Sequence, residues 1–381
     1  MLNNVLKTTV LLSAMGMSAC FANPIASVPI EASAADDAYE LVKITDGVEV
    51  PWGMVWLSET ELLVTDRNGT LHMISDGNLL EQKISGVPKV DARNQGGLLD
   101  IEKHPNYASN GWLYIAYSGF EGEEKGSNTS LVRAKLDKEN MALSDVELLF
   151  DASPNTDNTR HFGARIEFDN EGFLYLSIGD RGERDVNPQR LDRDAGKVHR
   201  LNDDGSIPQD NPFVGNEQAN ASIYSYGHRN PQGMAKHPET GGIWTHEHGP
   251  RGGDEINLVK KSVNYGWPVI SYGINYSGTS FTDITEKSGM AQPNWQWTPS
   301  IAPSGMVFVT GERYPQWQGD MLVGSLKFAQ VVHVDMDGEK IEGHSKLFEG
   351  IGRVRSLSMS PDGYLYIGTD ANGIYKVMPK A

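Results

Sequence analysis

The chain has 381 residues, 39% of them hydrophobic, enough to bury a large core in one big domain or two small ones. Its 33 Lys and Arg against 50 Asp and Glu leave a formal charge of −17, which argues against nucleic acid and anionic membrane surfaces as partners, since phosphate binding draws on clustered basic residues. Neutral substrates and cations stay open.

The first 22 residues join Lys7 to an apolar run at 10–12, with Ala14, Met15 and Met17, ahead of small residues. That is the pattern of a secretory signal, which lies outside the folded domain. Cleavage after Ala22 fits; so does cleavage ahead of Cys20, because Met17-Ser18-Ala19-Cys20 resembles a bacterial lipobox that would turn Cys20 into a lipid anchor. Both predict a periplasmic or secreted protein, in the second case tethered to the outer membrane. Cys20 is the only cysteine, so the mature domain has no disulfide and is held by packing, with or without metal. Residues 23–38, rich in Ala, Pro and Ser, are expected to be a flexible tether, and residues 39–381 the folded domain. No later segment is long and apolar enough to span a bilayer.

Six times the chain then produces a short β-type run, a turn rich in Gly, Asp, Asn or Pro, and a second β-type run. The units are GMVWLSETELLVTDRNGTLHMI, LLDIEKHPNYASNGWLYIAYS, ARIEFDNEGFLYLSIGD, GMAKHPETGGIWTHEHG, GMVFVTGERYPQWQGDMLVGS and SLSMSPDGYLYIGTDANGIYKV. Equivalent apolar positions, Met54, Leu99, Ile166, Met234, Met306 and Leu357, are spaced by 45, 67, 68, 72 and 51 residues. Units of about forty residues with insertions of varying length predict an all-β, six-bladed β-propeller; a pair of β-sandwiches is the alternative, which the recurrence disfavours. Alternate residues are apolar, as at Leu174, Leu176 and Ile178, so a sheet face packs on the next blade. The insertions at 180–221 and 260–303 are too long for simple turns and are expected to carry the site.

Residues 226–268 hold more polar chemistry than a packed core wants: Arg229 and Asn230, three histidines (His228, His246, His248), the Gly249-Pro250 step, and Asp254 with Glu255. Two acids in a glycine-bracketed loop offer hard oxygen ligands, and the Gly249-Pro250 turn leaves carbonyls free, which is calcium chemistry. A structural calcium is one reading; a bound organic anion beside Arg229 is the other. His161 precedes a strand of the third unit at the channel mouth, where an imidazole either takes up a proton near neutral pH or is hydrogen-bonded structure. Gln95 opens the second unit, Lys327 follows a strand of the fifth, and Arg353 and Arg355 open the sixth. The last two alternate, so a strand sends both to one face, where they repel unless they share an anion. With Lys327 and Arg229 they make four cations at one end, which points to a ligand with several carboxylates, a surface salt bridge being the plainer reading. Trp295 and Trp297, on the second insertion, are placed to stack on a sugar ring or to anchor their loop.

The motifs HFGAR, IGDRG, YGHRNPQG, EHGPRGGDEIN, NYGWP, SLK and RVR, in order from about Tyr39 to the end, resemble the bacterial soluble aldose sugar dehydrogenases that use pyrroloquinoline quinone (PQQ), related to soluble quinoprotein glucose dehydrogenase. The resemblance implies a six-bladed propeller, PQQ and calcium, and oxidation of the anomeric hydroxyl of an aldose to the lactone. It implies that His161 is the general base, and that Gln95, Arg229, Asn230, Tyr276, Ser325, Leu326, Lys327, Arg353, Val354 and Arg355 line the quinone. It also implies that Gly249 and Pro250 give carbonyl ligands to a calcium touching the cofactor, that Glu255 and Tyr265 belong to a second calcium site, and that Asp254 orients that site or His161. Chemically, His161, the quinone, and Arg229 with calcium supply the base, the acceptor and the charge stabiliser that the oxidation requires. One departure is Ala164, where such proteins more often carry glycine, and its methyl is expected to tighten the pocket.

The expected partners are an aldose and an electron acceptor that the sequence does not name, in a monomer or homodimer. A calcium-dependent propeller lactonase or other hydrolase, with metal-activated water, is a second reading that leaves Lys327, Arg353 and Arg355 without a use. A non-catalytic secreted binding propeller is a third.

Overall fold

The computed structural model describes residues 31–32, 38–122 and 124–380. The signal sequence, the lipobox and most of the expected tether lie outside the described residues. Within the tether stretch, β1 (Glu31–Ala32) runs parallel to the outer strand of the fifth blade.

The chain enters the ring through β2 (Tyr39–Thr45) and then builds six antiparallel sheets in sequence order. Blade one is β3 (Pro51–Trp56), β4 (Glu61–Asp66), β5 (Thr70–Ser75) and β6 (Asn78–Leu79). Blade two is β7 (Leu98–Lys103), β8 (Trp112–Gly119), β9 (Asn128–Asp137) and β10 (Ala142–Asp151), with a single helical turn, α1 (Tyr107–Asn110), between its first two strands. Blade three is β11 (Ile166–Phe168), β12 (Leu174–Ile178), β13 (Lys197–Leu201) and β14 (Ile223–Tyr226); blade four is β15 (Pro231–Lys236), β16 (Ile243–Glu247), β17 (Asp254–Leu258) and β18 (Trp295–Trp297). Blade five is β19 (Pro303–Phe308), β20 (Met321–Ser325), β21 (Gln330–Asp337) and β22 (Lys340–Leu347). The sixth has β23 (Val354–Met359), β24 (Leu365–Thr369) and β25 (Gly373–Pro379) from the C-terminus, and β2 supplies its outer strand, so first and last segments of the domain close the ring together. The six equivalent apolar positions of the repeats all fall on the innermost strands β3, β7, β11, β15, β19 and β23. The expected six-bladed propeller is the observed fold.

Strand alternation explains why the core is six wedges. On β12, Leu174, Leu176 and Ile178 pack toward blade two with Leu99, Tyr114 and Leu131, while Tyr175 packs toward blade four with Met234 and Ile243. Every other blade pair has its own buried cluster of the same kind. Each buried Leu, Ile or Val in them contributes about 1.5–3 kcal/mol by leaving water.

At every interface at least one side chain donates a hydrogen bond to a main-chain carbonyl of the neighbouring blade. These bonds include Thr65 Oγ1 to Leu99 O (2.5 Å), Thr129 Oγ1 to Phe162 O (2.6 Å), Ser177 Oγ to Pro231 O (3.1 Å), His248 Nε2 to Pro303 O (2.6 Å), Ser304 Oγ to Val354 O (2.6 Å) and Ser356 Oγ to Pro51 O (2.6 Å). These bonds lock the inner strands in register where the site is built. The channel is plugged midway: the Arg165 guanidinium lies 4.1 Å from the Trp52 ring and bonds Asp100 Oδ1 (2.8 Å) and Gln232 O (2.6 Å). Trp52 and Gln232 form part of the floor of the cleft at one end, and Asp100 and Arg165 line a smaller cavity of about 210 Å³ at the other.

One open alternative is decided here and one expectation changes. Trp295 and Trp297 are core residues of β18, packed with Met306, Phe308 and Val332, so they anchor the insertion and do not reach a ligand. The Ala164 methyl is buried in the wedge between blades two and three, and lines neither end of the channel.

Candidate active site

Two adjoining cavities of about 1390 and 790 Å³ share Gln95, Pro250 and Tyr276 and so form one cleft at the channel mouth. Its walls include Leu326, Lys327, Arg353 and Arg355 on one side and His161 and Arg229 on the other. Of the two insertions, 180–221 contributes Glu183, Arg184, Asp185 and Val186, and 260–303 contributes Trp267, Asn275 and Tyr276. The Arg184 Nη1 donates to Asn275 Oδ1 (3.0 Å), tying one insertion to the other. Four predicted residues sit behind the wall. Ser325 donates to Ile301 O, Val354 is in the core between blades five and six, the Asn230 amide oxygen accepts from Gly163 N, and Tyr265 stacks on His228 at 4.6 Å.

His161 is held on every side that is not the cleft. Its main-chain N–H donates to Gln95 Oε1 (2.8 Å), and its Nδ1 lies 2.6 Å from Asp180 Oδ1. Asp180 also accepts from Gly182 N (2.7 Å) and Trp267 Nε1 (2.9 Å), and its own N–H donates to Arg229 O (2.7 Å). A carboxylate that accepts three bonds fixes His161 as the Nδ1–H tautomer. Nε2 receives no hydrogen bond among the described residues. Burial and the nearby Arg229 hold His161 below its ordinary pKa despite Asp180, so the imidazole is neutral at pH 7 and able to take a proton. Burial works to raise Asp180, but His161, Arg229 and the Gly182 N–H outweigh it and keep the carboxyl below its usual range. Asp180 sits inside the IGDRG motif, yet sequence reasoning gave it no role. Asp254, the acid proposed for that task, instead accepts from Gly249 N, Ser300 Oγ, Ile301 N and Ala302 N and shapes the Gly249-Pro250 loop.

Arg353 and Arg355 do share one face, and the anion between them is Asp370. Arg355 Nε and Nη2 bond its two oxygens at 3.0 and 2.9 Å, and Arg353 Nε lies 3.3 Å away. The salt-bridge reading is thus satisfied without using up the cleft's charge: Lys327, Arg67 and Arg251 line the same wall with no carboxylate within ion-pair distance among the described residues. The buried Gln232 Oε1 there also lacks a partner. A flat polyacid fits such a wall.

The fit to calcium rests on orphaned oxygens. Burial and the neighbouring Glu247 push Glu255 far above the normal carboxyl range. Both acids border a water-sized void with Gly249, Gly253 and Ser271, and beside them Asn257 Oδ1 and Thr245 Oγ1 are buried without partners. The Gly249 and Pro250 carbonyls accept no hydrogen bond among the described residues. No group of three or more His, Cys, Asp or Glu has metal-site geometry among the described residues, so a cation here would draw on carbonyls as well as carboxylates. The Tyr265 hydroxyl is committed to Leu258 O and Lys260 N, leaving only that residue's main-chain carbonyl for a metal.

The chain is similar to several known proteins over most of its length. An aldose sugar dehydrogenase of Escherichia coli is 38% identical over 343 residues, covering 88% of this chain and 92% of that one. The crystal structure of the soluble E. coli aldose sugar dehydrogenase in its apo-form superposes with a TM-score of 0.85 at 36% identity, covering 90% of this chain and all (100%) of that one. The PQQ-bound aldose sugar dehydrogenase of Streptomyces coelicolor gives 0.74 at 25% identity, over 90% and 98% of the two chains. The family model for glucose/sorbosone dehydrogenases matches residues 48–376, and the chain belongs to that family.

Proposed function

We propose that this protein is a PQQ-dependent aldose sugar dehydrogenase that oxidises the anomeric hydroxyl of an aldose to the lactone. The observation that carries the reading is a neutral imidazole, His161, pinned by Asp180 with its Nε2 free and Arg229 beside it, facing across one cleft the cationic wall of Lys327, Arg353 and Arg355. When bound, the quinone supplies the acceptor for the electrons and hydrogen leaving C1, and calcium adds positive charge beside it.

The chain's own residues do the rest. Lys327, Arg353 and Arg355 hold the cofactor's carboxylates, and Gln95, Tyr276 and Leu326 flank it. Asn230, Ser325 and Val354 back that wall. Gly249 and Pro250 offer carbonyls to the cofactor's calcium, and Glu255, with the Tyr265 carbonyl, forms the second site. His161 Nε2 takes the hydroxyl proton, Asp180 steadies the resulting imidazolium, and Arg229 stabilises developing negative charge. The signal pattern read in residues 1–22 supports a periplasmic or secreted protein, tethered to the outer membrane where Cys20 is lipidated, with residues 39–381 read as the folded domain.

The test is His161→Ala in protein loaded with PQQ and calcium. A positioned base is typically worth about a hundred- to ten-thousand-fold, so turnover should fall by that order while quinone binding persists. Near-native turnover would remove His161 from the mechanism.

A further inference from the structure

The strand-to-cleft segment that carries His161 is gripped from behind by a cation with no acidic partner. Arg181 is fully buried (0% exposed), and no carboxylate lies within ion-pair distance of it among the described residues. Its two terminal nitrogens donate to main-chain carbonyls, Nη2 to Asn158 O (2.5 Å) and Ser127 O (3.3 Å) and Nη1 to Arg160 O, while the buried Nε has no partner among the described residues. The guanidinium also stacks 3.5 Å from the Phe162 ring. Residues 158, 160 and 162 bracket His161, so one side chain touches the base's segment on both sides.

Burying a cation without a counter-charge costs several kcal/mol, and an apolar side chain of similar length would fill the space without that cost. What an apolar side chain could not do is hold several carbonyls with one rigid fork. The held backbone is unusual: His161 has φ 57° and Arg181 itself φ 55°, left-handed values that non-glycine residues adopt only where surroundings enforce them. Asp180 is the next residue to Arg181 along the chain, so Arg181 links the backbone of the carboxylate to the segment that carries the imidazole. Burial draws Arg181 down to about 9, with Asp180, Asp91 and Glu183 opposing, which leaves it charged at neutral pH.

We propose that Arg181 is a positioning residue for this reaction, fixing the main chain of residues 158–162 so that the His161 imidazole meets Asp180 and presents Nε2 to the sugar. The inference rests on reading His161 as the base. Misplacing a reacting group by about 1 Å costs on the order of a hundredfold.

Arg181→Met and Arg181→Lys decide it, with the apoprotein's low-field proton NMR signal from His161 Nδ1–H, identified by its loss in His161→Ala, as the readout independent of turnover. Arg181→Met should lose or broaden that signal and, once loaded with PQQ and calcium, drop kcat by about a hundredfold with the sugar KM changed only a few-fold. Arg181→Lys, keeping the charge without the fork, should fall between. A folded Arg181→Met with lower Tm but unchanged signal and kcat would overturn the proposal, leaving Arg181 as scaffold only. If Arg181→Met does not fold, an unchanged signal and kcat in Arg181→Lys would overturn it equally. Should wild-type protein fail to oxidise sugars, the functional reading falls, while the NMR signal still decides what Arg181 does to His161.

Discussion

Replacing Asp180 with asparagine separates the carboxylate's charge from its shape. Asp180 faces three donors: His161 Nδ1 and Gly182 N on one oxygen, Trp267 Nε1 on the other. An amide has one acceptor oxygen, and it is best used against the two donors. The new NH₂ then points at the Trp267 indole N–H, a buried donor facing a donor, which costs about 1–3 kcal/mol of stability. Toward His161 the bond survives but loses its charge assistance, a difference of about 1–1.5 kcal/mol, or roughly tenfold in kcat. His161 should titrate still lower, since Asp180 supplies both upward influences on it, by its charge and its hydrogen bond. Thermal unfolding and kcat of the PQQ-loaded variant measure both effects. A loss as large as that of His161→Ala, or an unchanged Tm, would refute the reasoning.

Other outcomes follow from the same geometry. His161 is held below 6.5 and must be neutral to accept a proton, so activity is present above its pKa and lost as pH falls through it; the acid limb of kcat/KM should lie below pH 6.5. Calcium at a hundred times its Kd should stabilise the protein by about 2.7 kcal/mol, with EDTA reversing the shift in Tm and Glu255→Gln weakening it. Tyr39 on β2 packs 4.6 Å from Trp317 and 5.3 Å from Tyr314 of blade five, so Tyr39→Ala should cost about 3 kcal/mol in denaturant unfolding without altering the KM for sugar.

The propeller was legible because its periodicity is local. Two-residue alternation and a recurring turn appear within each unit, and the six marker positions needed no long-range information. Gln95, His161, Lys327, Arg353 and Arg355 could be found because each stands at an end of an inner or second strand, where the repeat itself points to the channel mouth. Asp180 and Asp370 were missed because their meaning is relational: each becomes part of the site only when the fold brings it to a partner 19 or 15 residues away. Asp254 was the converse, an acid in a suggestive loop whose four hydrogen bonds all serve backbone and serine. For Trp295 and Trp297 the sequence left stacking on a sugar and anchoring the loop side by side, because an insertion can end in a strand; β18 turns both rings into the core, which is the anchoring alternative. Ser325 and Val354 came only from the motif resemblance; their side chains face away from the cleft.

The most direct measurement adds PQQ and calcium to purified apoprotein and follows the bound quinone spectrum together with dye reduction on addition of glucose and other aldoses. The account predicts stoichiometric quinone binding and sugar-dependent reduction that requires it. Lactone hydrolysis without quinone, or no quinone uptake at all, would contradict it.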